Sequence, residues 1–119
     1  MARYVDGFVV PVRKRDVDGY RRVARKAGKV WMEHGALDYR ECVAEDVDKG
    51  KVTSFPRSVK LQRGETVVFA WITYKSRAHR DRVNKMVMSD PRLADMDPES
   101  MPGDMKRMIY GGFEVIVDL

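Results

Sequence analysis

With 119 residues, 44% of them hydrophobic, and a net charge of +5, the chain is sized for one domain, residues 1–119, around one core that buries roughly two-thirds of the unfolded surface. The longest apolar runs, FVVPV and VVFAWI, fall well short of the roughly 20 residues a membrane helix needs. The N-terminal MARYVDGF lacks an apolar segment with a small-residue cleavage site, and the single cysteine, Cys42, has no partner for a disulfide within the chain. The expectation is a soluble, cytoplasmic protein.

The first strand is predicted over Tyr4–Val12. A helix follows. Asp16 is expected to cap it, because Val17, Tyr20, Val23, Ala24, Ala27, Val30 and Trp31 then recur at spacings of three and four on one face. His34-Gly35 closes it, glycine being the usual residue just past a helix. Leu37–Glu45 reads as the second strand and Thr66–Tyr74 as the third. Ser76 is expected to cap a second helix with His79, Val83, Met86 and Val87 inward, and Asp90-Pro91 stops it. Arg107–Asp118 is the last strand, crossed by Gly111-Gly112.

The order β-α-β-β-α-β predicts an α+β, ferredoxin-like sandwich: an antiparallel sheet with both helices on one face. The irregular stretches 46–58 and 90–106 are long for connections in a compact domain. The charge is concentrated in the helices. Residues 13–29 hold eight cations against two acids, and 75–85 five against one, whereas 90–104 hold five acids against Arg92.

Successive strand residues point to opposite sides. One side gathers Gly7, Cys42, Ala44, Ala70 and Gly111, small enough for helices to lie close, and is expected beneath them. The other gathers Tyr4, Phe8, Tyr39, Phe69, Trp71 and Tyr110. Left bare, that side would be an apolar patch larger than a monomer normally exposes, so a second copy is the expected cover. On this reading Gly111 makes room for a helix, and Gly112 leaves space on the opposite side.

YVDGFVV at 4–10, GKVTSF at 50–55, MSDP at 88–91 and KRMIYGGFE at 106–114 resemble, nearly end to end, the YbaA-like family of bacterial domains of unknown function. That family is similar in architecture to the dimeric α/β-barrel superfamily, which includes antibiotic-biosynthesis monooxygenases and chlorite-dismutase-like haem proteins. The resemblance implies a homodimer joined through its sheets. It brings no established catalytic residues.

His34, His79 and Cys42 lie in three separate elements, so neither a metal site nor a cofactor is expected. Cys42 reads as a small core residue. Asp46-x-Asp48-x-Gly50 begins like a calcium loop, but Arg57 stands where the closing glutamate is needed. One constellation remains. Asp6, Glu41 and Glu114 fall among the aromatics of the bulky side, where burial raises a carboxyl pKa and suits it to acid–base work. The plainer reading pairs each with an arginine such as Arg3, Arg40 or Arg107, or leaves it at a wet edge. Met96, Met101, Met105 and Met108 fill gaps on the plainer reading and form an adaptable lid over such a cavity on the other.

Two functions follow. The first is a homodimeric small-molecule-binding domain, with monooxygenase-like activity on an apolar or aromatic compound held by Tyr4, Asp6, Phe8, Glu41, Trp71, Tyr110 and Glu114. Without a cofactor the substrate itself would supply the electrons. The alternative is RNA or other nucleic-acid binding, with Arg13 to Lys29 on the phosphates.

Overall fold

The computed structural model describes residues 2–119. Four strands, β1 (Tyr4–Arg13), β2 (Asp38–Val43), β3 (Glu65–Tyr74) and β4 (Ile109–Glu114), form one antiparallel sheet in the order β2-β3-β1-β4. The long helices α1 (Val17–Glu33) and α3 (Arg77–Met88) lie on one face, and the short helices α2 (Phe55–Ser58) and α4 (Pro91–Ala94) sit in the connections. This is the ferredoxin-like α+β order expected from the sequence.

A 3₁₀ turn at Lys14–Asp16 leads into α1, and Asp16, although at the cap position, makes no side-chain capping bond. Ser76 does cap α3, accepting from the His79 N–H at 3.1 Å. Gly35 closes α1 with φ of 113°, a left-handed conformation that glycine reaches without strain. Facing the sheet, α3 presents the fully buried Val83 and Val87, each contributing about 1.5 kcal/mol by its removal from water. Met86 is exposed instead, because the inward stripe of α3 runs through Arg80, Val83, Asn84 and Val87.

The register settles which side of the sheet the helices cover. Tyr4, Asp6, Phe8 and Val10 stand opposite Tyr74, Ile72, Ala70 and Val68; Tyr39 and Glu41 stand opposite Ile72 and Ala70; Tyr110, Gly112 and Glu114 stand opposite Phe8, Asp6 and Tyr4. The core places this set against the helices: Ile72 and Tyr74 cluster with Val30, Val83 and Val87, and Val10 and Val68 with Tyr20 and Ala24. The expected faces are therefore reversed in β1, β2 and β4 and correct only in β3. The helices cover Tyr4, Phe8 and Tyr39, and Tyr110, on the same side of edge strand β4, stacks on Phe8 but stays 73% exposed, while Gly7, Cys42, Phe69, Trp71, Gly111 and Phe113 form the open side.

Close approach is achieved by a glycine in the helix. A Cβ on Gly28 of α1 would stand 2.6 Å from Cδ1 of Tyr39, so only glycine lets α1 settle on that ring. The paired glycines of β4 sit in unbroken register, opposite Gly7 and Asp6, which rules out a bulge. A Cβ on Gly112 would meet the Tyr4 ring at 2.6 Å and its hydroxyl closer still, whereas Gly111 has only the Phe113 ring nearby, at 3.8 Å. Gly112 thus serves the covered face, and Gly111 the open one.

The acidic connection is tied to the body at both ends. Asp90 caps α4, accepts from Arg92, and meets His34 Nε2 at 2.9 Å. Arg107 donates to both carboxylate oxygens of Glu65, at 2.8 and 2.6 Å, and to Asp104 at 2.9 Å. Between these ties the chain touches β1 through a bridge from Gly103 to Val12.

Candidate functional site

A cavity of about 620 Å³ lies between the sheet and the helices, within the size range of small-molecule sites. Its floor is Phe8, Ala70 and Ile72, its helical wall Ala27, Trp31 and Asn84, and its cover Leu93 with Met88, Met96, Met101, Met105 and Met108. Met96, Met101, Met105 and Met108, read from the sequence as gap-fillers first and a lid second, all border it. Thioether side chains with three rotatable bonds can mould to varied apolar shapes.

Asp6 borders the cavity and is 6% exposed. Its place follows from β1, which sets it between Ile72 and Gly112 on the covered face. Arg80, from the first turn of α3, donates to it at 3.1 Å. The same guanidinium stands 4.9 Å over the Tyr4 ring. Desolvation raises the Asp6 pKa above its ordinary value, and the attraction of Arg80 opposes that rise without cancelling it. Asn84 sits alongside, its Oδ1 accepting from Trp31 Nε1 and from the Tyr74 hydroxyl, each at 3.1 Å. This end can hold a polar group of a ligand and accept a proton from it.

The second polar end is Glu41, whose two oxygens accept separately from the hydroxyls of Tyr20 and Tyr39. Both phenols are pushed above their ordinary pKa, by burial first and by the neighbouring carboxylate second. They remain neutral donors at physiological pH. Asp6 does pair with an arginine, as the plainer reading holds, but with Arg80, and Glu41 pairs with none: Arg3 faces Asp118, Arg40 faces Asp38, and Arg107 binds Glu65.

Residues 3–105 match the family described as "Protein of unknown function (DUF1428)". The chain belongs to that family. This DUF1428 chain is 53% identical over 116 residues to "Uncharacterized protein YbaA" of Escherichia coli K12, with 98% of each chain covered, and equally to the protein so described in Shigella flexneri. Among solved structures it is similar to a dimeric ferredoxin-like protein from an uncultured marine organism, with a TM-score of 0.63, 12% identity and full coverage of both chains. It is also similar to a Bacillus cereus protein assigned as an antibiotic biosynthesis monooxygenase, with a TM-score of 0.59, 13% identity, and 100% and 98% coverage. At these identities the likeness speaks to fold, and it agrees with the ferredoxin-like topology.

Of the seven residues expected at the site of this DUF1428 chain, Asp6, Phe8, Glu41, Trp71 and Tyr110 border the cavity. Trp71 does so from a strand position whose indole lies against Phe69 on the open side, 5.6 Å between ring centres. Tyr4 is held under Arg80 behind Asp6, and Glu114 is exposed at the end of β4. Sequence reading missed Arg80, Asn84, Trp31 and Tyr20 as site residues. Arg80 and Asn84 carried a signal, being polar residues at i and i+4 on the stripe that buries Val83 and Val87. Cys42, expected in the core, is exposed on edge strand β2. Among the described residues no three His, Cys, Asp or Glu side chains stand together as a metal site, and no helix is long and apolar enough to cross a membrane.

Proposed function

We propose that this protein is a homodimeric, cytoplasmic small-molecule-binding domain whose ligand occupies the cavity between helices and sheet. The observation that carries this reading is the combination of a methionine-covered apolar hollow with one buried carboxylate, Asp6, at its end. The ligand class is an apolar or aromatic compound bearing an ionisable hydroxyl. Asp6 accepts the hydroxyl proton while Arg80 and Asn84 fix the oxygen. A phenol deprotonated there is electron-rich enough to react with dioxygen without a cofactor. One phenol and one O₂ give one quinone and one water, so the ligand supplies the electrons and monooxygenase-like chemistry balances. Binding of 1-naphthol with oxygen uptake in air, lost in Asp6→Asn, is the expected result. Oxygen uptake unchanged in Asp6→Asn removes Asp6 from the chemistry, and failure of any aromatic probe to bind removes the cavity.

The dimer is proposed on the open side of the sheet, where Phe69, Ile109 and Phe113 are 40%, 44% and 64% exposed. Light scattering at micromolar concentration is expected to give twice the chain mass of 13.7 kDa. Phe69→Lys with Trp71→Lys is expected to give the monomer, because charge at the centre of an apolar interface removes its driving force. A wild-type monomer would contradict the proposal.

A further inference from the structure

A second hollow, about 710 Å³, lies outside the first, between α1 and β2. The two share a wall of Tyr20, Ala24, Tyr39, Arg40 and Glu41, where Arg40 has Asp38 at 3.9 Å. That wall is held shut by hydrogen bonds, since the Tyr20 hydroxyl from α1 and the Tyr39 hydroxyl both end on the Glu41 carboxylate of β2. The outer hollow has an apolar base at Gly28, Met32 and Val43 and a cationic rim on α1.

The rim is a row of like charges along α1. Arg21, Arg25 and Lys29 fall at i, i+4 and i+8, a spacing at which like charges repel. Arg21 is relieved by Asp18 at 3.1 Å. Glu33, one turn beyond Lys29, is drawn away to Arg92 at 2.7 Å. Among the described residues, neither Arg25 nor Lys29 has a carboxylate within ion-pair distance. Two unrelieved cations therefore stand over an apolar base, one hydrogen-bonded wall away from an apolar cavity.

We propose that the ligand is an acidic amphiphile, its carboxylate held by Arg25 and Lys29 in the outer hollow and its apolar body passing the Tyr20–Glu41–Tyr39 strap into the methionine-covered cavity. This rests on the cavity reading above and adds to it a head group and a way in. A flexible chain suits the methionine cover, and a single anion matches the two unrelieved cations. For the body to pass, the strap must release at least one phenol from Glu41, so the strap governs how fast ligand enters and leaves.

The test compares cis-parinaric acid with its methyl ester by fluorescence titration of the full chain. The acid is expected to bind about tenfold more tightly, with the advantage shrinking between about 50 and 500 mM salt as screening rises. Arg25→Glu with Lys29→Glu, both at exposed positions, is expected to abolish that advantage and leave ester affinity unchanged. Tyr20→Phe is expected to speed both association and dissociation. Equal affinity for acid and ester, or an advantage that survives the double reversal, overturns the proposal while leaving the cavity in place. Binding of Nile red alone does the same. If Nile red also fails to bind, the cavity reading itself falls. Displacement of the acid by a mixed RNA pool at the lower salt assigns the cationic rim to nucleic acid and overturns the proposal.

Discussion

The two faces of the sheet carry different chemistry. On the covered face Asp6, Glu41 and Tyr74 are drawn inward and each finds partners: Arg80, two tyrosines and Asn84 respectively. Beside them the helices leave a hollow. The open face carries Phe69, Trp71, Ile109 and Phe113 with neither long helix over them; Phe55 of α2 stacks on Phe69 at 5.7 Å between ring centres, and the Phe113 ring lies beside Gly7 and Gly111, 3.6 and 3.8 Å from where a Cβ on each would stand. The period-two alternation of a strand lets β1 serve both roles, placing Asp6 and Phe8 in the cavity while Gly7 and Val9 face outward. One sheet can thus separate ligand chemistry from association, so a substitution one position along the chain should change a different property.

The largest way to disturb the covered face is Arg107→Ala, which leaves Glu65 buried without its cation and frees the end of the methionine segment. A loss of about 3 kcal/mol is expected in urea unfolding. Next comes the glycine pair. Gly112→Val drives a side chain into the Tyr4 ring and is expected to cost about 2 kcal/mol by overpacking, displacing Tyr4 from Arg80. Gly111→Val is expected to stay within about 0.5 kcal/mol for the monomer and to weaken self-association instead. Equal melting temperatures for the two variants would erase the distinction between faces.

The smallest effects are in pH dependence, and they have opposite signs. Glu65 is held below its ordinary 4.5 chiefly by hydrogen bonding to Arg107, so its stabilisation is present above pH 4.5 and is lost as pH falls below it through the folded-state value. Asp6 is raised above 3.8 by desolvation, so its ionisation costs the folded state stability as pH rises from 3.8 through its folded value. Asp6→Asn should therefore melt at or slightly above the wild type at pH 7 and lose that advantage near pH 3.5, while Arg107→Ala flattens the acid limb. A lower melting temperature for Asp6→Asn at pH 7 would mean that the Arg80 attraction outweighs burial.

Element order was legible because helices and strands differ in hydrophobic period, and Ser76, Gly35 and Asp90-Pro91 marked boundaries by chemistry that acts locally. The choice of face was not. Each strand shows its own alternation, but which parity of β3 matches which parity of β1 depends on register, a long-range property. Small sheet residues do not mark the covered face either, because closeness between helix and sheet is supplied by Gly28 on the helix rather than by glycines in the sheet. Asp6 and Glu41 could be singled out as carboxyls among aromatics. Arg80 lies 74 positions from Asp6, and nothing short of the fold brings them together.

The most direct test uses the two tryptophans, one on each face. In a Trp71→Phe variant the remaining Trp31 lines the cavity; in Trp31→Phe the remaining Trp71 lies against Phe69 on the open side. Titration with 1-naphthol is expected to give a saturable change in Trp31 emission larger than that in Trp71, which borders the cavity only from its strand position. A saturable response from Trp71 with Trp31 silent would place the ligand on the open face and contradict the account.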